Sequence, residues 1–349
     1  MDGLVLEYRD PLFGVVVFFT FIFIISFITY SFSTYKEKKA RREYRKLFKR
    51  FQLGKLKEED YVHLYTTYNL PFDSIILLAS TFLHKGDYNK AISVYLTLLE
   101  HVSDRVKKEE LLELLGTTYF KGGFLQRSKD IFLKILKFSP RNMQALTYLL
   151  ITYEKLKEYD NAYEVIESLD ELRVNVSREK LYINALQIIN DPITSFEKKC
   201  TQLMELFKTN NIIERVVIQY LLQFNKTLFW KNIELFDSSK SIDLLWYLSF
   251  EDIDFDAVSK DPLLVELYTA KGYINETNHS AIFELNILIM LQKVKSNKQA
   301  DLNFEFICEK CKQIHPIHES RCPHCHSILI FKIEPEITKS FIEENQSLQ

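Results

Sequence analysis

The stretch LGTTYFKGGFLQRSKDIFLKI, residues 115–135, decides the fold, because its pattern occurs twice more: as LASTFLHKGDYNKAISVYLTL at 78–98 and as LLITYEKLKEYDNAYEVIESL at 149–169. In the first copy the repeated positions are Leu78-Ala79, Phe82, Gly86, Tyr88, Ala91, Tyr95 and Leu98. The second has Leu115-Gly116, Tyr119, Gly123, Leu125, Ser128, Phe132 and Ile135 at the same offsets. The third has Leu149-Leu150, Tyr153, Lys157, Tyr159, Ala162, Ile166 and Leu169. The last two copies start 34 residues apart and the first two 37, which places a short insertion near His101 to Lys107. A period of this length is that of a stacked helix-turn-helix solenoid.

The pattern has a steric cause. Two antiparallel helices cross closely only where both carry small side chains, here Ala79 with Ala91 and Gly116 with Ser128. Gly86 and Gly123 fall where the chain turns between helices. The windows resemble the tetratricopeptide repeat; the third departs at Leu150, where a small residue is usual, and at Lys157, where glycine is. The plainer alternative is a globular bundle of ordinary amphipathic helices.

Upstream, residues 11–35 are 25 consecutive uncharged residues rich in Phe, Val and Ile, enough to cross a hydrocarbon layer of about 30 Å. A cleavable signal needs a basic start and a shorter apolar run, whereas Asp2, Glu7 and Asp10 precede this one. Nine basic and two acidic residues follow within 36–50, giving this segment +7 in a chain whose net charge is −2. Basic flanks stay in the cytoplasm, so the amino terminus is expected outside and the body inside, with the basic run also attracted to anionic headgroups. The mildly acidic body argues against a nucleic-acid surface.

Between span and repeats, Arg42 to Asp60 reads as a continuing helix with Leu47, Phe48 and Phe51 as an apolar stripe. Tyr61, Leu64, Tyr65 and Tyr68 follow at helical spacing, facing the first repeat. After Leu169 the repeat decays. Helices are expected over Glu179–Ile189, Glu197–Lys208, Ile212–Phe224, from Asp261-Pro262 to Gly272, and over Asn278–Val294. Phe250 to Asp256 is acidic with apolar residues interleaved, either a docking loop for a basic partner or a solvated connector.

The carboxy-terminal region holds the chemistry. Cys308-Glu-Lys-Cys311 and Cys322-Pro-His-Cys325 are two C-x2-C pairs ten residues apart, and two facing pairs make a tetrahedral S4 cage. Cys308, Cys311, Cys322 and Cys325 are therefore the candidate metal ligands, for structural zinc with iron as the alternative. Disulfides are the competing reading, disfavoured in a reducing compartment. Phe304–Ile307 and Ile328–Ile333 are expected as short ribbon strands. His315, His318, His324 and His326 are read as surface groups or groups beside the ligands, and Cys200 as buried packing. No nucleotide-binding, zinc-protease or nucleophile-elbow motif occurs, and His63, His84, His101 and His279 are isolated, which favours an adaptor over an enzyme.

One membrane helix with a basic flank, a repeat array and a terminal C-x2-C-x10-C-x2-C unit, in that order, resembles the lipopolysaccharide assembly protein B family of Gram-negative bacteria. The resemblance implies a mostly α chain: one transmembrane helix, a tetratricopeptide-type α-solenoid and a small rubredoxin-like four-cysteine metal ribbon packed on the array. The expected divisions are 1–10 (periplasmic), 11–35 (transmembrane), 36–70 (basic juxtamembrane and linker helices), 72–169 (repeats), 170–300 (degenerate helical repeats), 304–335 (metal unit) and 336–349 (tail). It implies a non-enzymatic adaptor in the inner membrane that brings the lipid A deacetylase to a membrane AAA+ protease. The partners would dock on the repeat face, with homo-oligomers left open and no nucleic acid. Rubredoxin-like knuckles usually place Gly after the second cysteine of each pair; Lys312 and His326 stand there. A general membrane scaffold and an iron redox protein are the alternatives.

Overall fold

The computed structural model describes residues 11–52, 57–66, 71–293 and 300–339. The chain divides into two compact units, residues 1–140 and 141–349. The first two repeat windows belong to one unit and the third to the other.

In the first unit, α1 (Pro11–Gln52) carries the apolar run and continues through the basic segment without a break, followed by α2 (Glu58–Thr66). One stretch of α1 is long and apolar enough to cross a membrane, and its large apolar side chains are exposed within the chain. The helix expected over Arg42 to Asp60 is therefore divided, with Asp60 in α2 and its carboxylate paired with Arg50 at 3.0 Å. The side chains of the expected Leu47, Phe48 and Phe51 stripe, and of Leu64 and Tyr68, lie outside the described residues. Tyr61 is buried and meets the Phe82 ring edge-on, and Tyr65 meets Phe72, which seats α2 on the first hairpin.

That hairpin is α3 (Phe72–His84) and α4 (Tyr88–His101); the second is α5 (Arg105–Lys121) and α6 (Leu125–Phe138). Asp104 starts α5 by accepting the Val106 N–H, satisfying a donor that has no partner within the helix. Ala79 and Ala91 are fully buried at the first crossing. At the second, the Ser128 hydroxyl donates to the Gly116 carbonyl at 3.0 Å.

The second unit opens with the third hairpin, α7 (Met143–Leu156) and α8 (Tyr159–Glu171), where Leu150 and Ala162 are both buried. Its turn shows why the repeat survives without glycine. In all three windows the N–H five residues past the repeat aromatic returns to that aromatic's carbonyl: Asp87 to Phe82 at 2.9 Å, Phe124 to Tyr119 at 2.8 Å and Glu158 to Tyr153 at 2.9 Å. This helix-ending bond needs a left-handed residue just before the donor. Gly86 (φ 77°) and Gly123 (φ 78°) provide it, and Lys157 adopts the same conformation at φ 61°.

A further helix pair, α9 (Ser177–Asn190) and α10 (Phe196–Thr209), matches the pair expected on either side of Asp191-Pro192. After α11 (Glu214–Phe224) the elements shorten: α12 (Lys226–Lys231), α13 (Ile242–Trp246) and α14 (Phe255–Val258), with 3-10 turns between. The hairpin alternation expected to run on toward residue 300 is thus replaced here by short helices around one apolar core. α15 (Pro262–Lys271) begins at the Asp261 cap and ends at Gly272 in the left-handed region, as the sequence indicates. α16 (Phe283–Lys293) starts later than the expected Asn278. The Ser280 hydroxyl accepts the Ile282 N–H, and Asn286 accepts the Ser280 N–H, which turns the backbone before the helix begins.

The described residues end in a three-stranded antiparallel sheet of order β2-β1-β3: β1 (Ala300–Cys308), β2 (Ile314–His315) and β3 (Phe331–Lys339). β1 and β3 pair along their whole lengths, from Ala300↔Lys339 to Cys308↔Phe331. The ladder therefore extends beyond the 304–335 span read from the cysteine pattern, because Leu302 faces the helical core and needs a paired backbone behind it.

Candidate metal centre

Cys308 is the last residue of β1, and the pairing of Phe306 with His315 turns the chain back over the intervening residues. The turn is a knuckle: the Lys312 N–H donates to the Cys308 carbonyl at 2.8 Å, and the Cys308 N–H to the Gln313 carbonyl at 3.0 Å. The second knuckle repeats it, with His326 donating to Cys322 at 2.9 Å and Cys322 to Ser327 at 2.9 Å. Both geometries require a left-handed residue after the second cysteine. Lys312 and His326 each adopt φ 60°, so the two positions where glycine is usual keep its conformation with side chains in place.

The knuckles bring the four candidate ligands together. Every Sγ lies within 4.8 Å of the other three, with Cys308 to Cys325 at 3.6 Å and Cys311 to Cys322 at 3.7 Å. A tetrahedral ion with metal–sulfur bonds of about 2.3 Å has S···S edges of roughly 3.8 Å, whereas a disulfide is about 2.05 Å. All four thiols are free, and the cluster fits a metal rather than a bridge. Four protein sulfurs complete a tetrahedron, leaving no position for a reacting water.

The surroundings favour thiolates unevenly. Burial pushes the Cys322 thiol up to about 12, against the His324 and Cys325 N–H groups that point toward it. Burial also raises Cys325, but the Ser327 hydroxyl and N–H, together with the neighbouring thiols, outweigh it and hold the group at about 6. Cys325 thus offers a ready thiolate to an incoming cation, and Cys322 gives up its proton as the ion binds. His315 Nε2 lies 3.6 Å from Cys322 Sγ, beside the ligands as expected, and His324 is exposed. His318 corrects the reading of it as a surface group or one beside the ligands. Its ring sits between Phe306 and Phe331, at centroid distances of 5.3 and 5.4 Å, and burial with the nearby Arg215 charge lowers its pKa to about 4.

Residues flanking the ligands fasten the ribbon to the helices of the same unit. Arg321, one residue before Cys322, places Nε at 2.9 Å and Nη2 at 2.5 Å from Glu154 on α7, with both side chains about 90% buried. Its Nη1 also donates to the His326 carbonyl at 2.8 Å, and the His326 ring packs edge-on against Tyr148 at 5.1 Å. On the other side, Trp246 Nε1 donates to Asp301 at 3.1 Å and Arg215 lies over the Phe306 ring. None of these partners lies in a recognisable sequence motif. One signal existed: Glu154 occupies the offset filled by Leu83 and Phe120 in the other windows.

The acidic stretch from Phe250 to Asp256 is largely engaged within the chain. Asp252 pairs with Lys226 at 2.6 Å, and Asp254 accepts the Asp256 and Ala257 N–H groups at the start of α14. Cys200 is 1% exposed and fills the core, as expected.

Fold and site together define a helical, repeat-like protein with, among the described residues, one helix long and apolar enough to span a membrane and a carboxy-terminal four-cysteine cluster able to hold a metal ion. The chain is similar to lipopolysaccharide assembly protein B of Escherichia coli strain K12, with 27% identity over 107 residues. The same similarity holds to the proteins of that name in the O6:H1 and O157:H7 strains. The matched stretch is 30% of this chain and 28% of each relative, so it spans little more than a quarter of the curated proteins it matches. No family model matches the chain.

Proposed function

We propose that this protein is a membrane-anchored cytoplasmic adaptor that regulates lipopolysaccharide synthesis by bringing a lipid A deacetylase to a membrane AAA+ protease. The observation that carries the reading is the similarity to lipopolysaccharide assembly protein B, supported by a candidate membrane span, helical hairpins and a four-sulfur cluster in the same chain. In this reading residues 11–35 span the inner membrane and the basic run at 36–50 keeps the body in the cytoplasm. The tetratricopeptide-type hairpins present the docking face.

Cys308, Cys311, Cys322 and Cys325 hold zinc as a structural ion. It would contribute folding free energy to a ribbon too small to sustain a core of its own. Lys312 and His326 set the knuckles, and Arg321 and His326 pass that order to α7 through Glu154 and Tyr148. The protein performs no chemistry on the lipid; it acts by holding two partners near each other, so that the second encounter is effectively intramolecular.

The test is affinity purification of the intact, detergent-solubilised chain from its own membranes, with co-purifying proteins read by mass spectrometry. The reading expects a membrane protease together with a lipid A enzyme. Recovery of an unrelated membrane complex in their place would overturn it.

A further inference from the structure

The two knuckles match position for position, with Cys308, Cys311 and Gln313 answering to Cys322, Cys325 and Ser327. Their backbones also match: the Gln313 N–H points at Cys311 sulfur and the Ser327 N–H at Cys325 sulfur. Their side-chain surroundings differ. Ser327 Oγ lies 3.5 Å from Cys325 Sγ, and His315 Nε2 lies 3.6 Å from Cys322 Sγ. Among the described residues, the side-chain contacts of Cys308 and Cys311 are with the other two cysteines only. Leu329, which corresponds in the second knuckle to His315 in the first, has no donor to offer in return.

His315 is placed by the whole ribbon. It lies on β2, paired with Phe306 of β1, and its ring meets Phe331 of β3 edge-on at 5.6 Å. Its separation from Cys322 is long for an oxygen acceptor but ordinary for the larger sulfur atom. A sulfur that ligates an ion is a thiolate and can only accept, so the contact requires the proton on Nε2. By the same reasoning the Ser327 hydroxyl donates to Cys325.

We propose that His315 is a positioning residue of the metal centre: it donates Nε2–H to the Cys322 thiolate and, with Ser327 on Cys325, makes the second knuckle the firmer half of the site. The reason is charge. Four thiolates around a divalent cation carry a net charge of about −2, held largely on sulfur. A donor on a thiolate draws off part of that charge and makes the sulfur less nucleophilic. Cys308 and Cys311, without side-chain donors, are the sulfurs that an electrophile attacks first. This inference rests on the four-cysteine centre of the function proposed above and not on its partners.

The experiment loads the full chain in detergent with cobalt(II) and records its absorption and its cobalt content. His315→Phe should move the sulfur-to-cobalt charge-transfer band to lower energy while the visible bands of a tetrahedral four-sulfur site stay in place. Cobalt affinity should fall by roughly 10–100-fold. Ser327→Ala should move the band the same way, and His324→Ala, at an exposed position on the same knuckle, should leave band and affinity unchanged. Wild type supplies an independent reading. Cys308 and Cys322 are both buried and Cys311 and Cys325 both half-buried, so each pair differs in its donors but not in burial class. With zinc in excess, N-ethylmaleimide followed by peptide mass spectrometry should find Cys311 alkylated before Cys325 and Cys308 before Cys322; this order decides the matter if His315→Phe retains no cobalt. The reverse order, a band and affinity indifferent to His315→Phe, or visible bands showing nitrogen among the ligands would overturn the proposal. A wild-type chain that takes up no cobalt would instead overturn the four-sulfur centre itself, which sets the two failures apart.

Discussion

Gly116 shows how one residue sets a helix crossing. A Cβ there would lie 2.8 Å from the Phe132 ring and 3.2 Å from Ile131 Cγ2, and Phe132 is fully buried with no room to withdraw. Alanine favours a helix over glycine by about 1 kcal/mol, but overpacking a filled core costs about 1–3 kcal/mol. Gly116→Ala should therefore lower the thermal midpoint, and an unchanged or raised midpoint would show that the crossing tolerates a methyl group. His318 gives a pH signature at the same scale. Its folded pKa of about 4 lies below the unfolded value near 6.5, so the unfolded chain takes up a proton that the folded chain does not. Stability is full above about pH 6.5 and falls as pH drops toward 4, by on the order of 3 kcal/mol. Urea midpoints at pH 7 and 5 should differ more for wild type than for His318→Leu; metal loss is common to both chains and cancels in the comparison. The cysteines were legible because two C-x2-C pairs are the spacing with which four sulfurs can meet around one ion. The place of His318 between Phe306 and Phe331 was not, because it depends on the pairing of strands far apart in sequence.

Among elements, the helical hairpins were the most legible, and the turn at Lys157 shows the limit of reading residue types singly. The bond from Glu158 to Tyr153 imposes the left-handed conformation whether or not glycine is present. The same holds for the knuckles. Lys312→Gly should be neutral or slightly stabilising, whereas Lys312→Val, a β-branched residue forced to positive φ, should weaken metal retention against a chelator. The attachment of ribbon to α7 could not be read from sequence, since Arg321 and Glu154 are 167 residues apart. Glu154→Ala leaves a guanidinium about 90% buried without its carboxylate and should cost roughly 3–5 kcal/mol. Hydrogen exchange should rise first in 143–156 and 321–331. Unchanged protection in both segments would mean that the pair is not what fastens them.

For the whole molecule, the order of parts was visible because each has a distinct signature: an unbroken apolar run, a 34-residue recurrence and paired cysteines. The region between α11 and α15 was not, since its short helices share one core without a repeating interval that sequence could expose. In the function proposed above the protein acts by proximity rather than chemistry, so the proposal is tested by the fate of a partner. The most direct measurement is the half-life of the lipid A deacetylase in cells depleted of this protein, compared with cells carrying wild type or Cys322→Ser at matched protein levels. The account predicts a half-life lengthened severalfold on depletion, restored by wild type and restored only in part by the variant with an incomplete sulfur cluster. A half-life unaffected by depletion would contradict it.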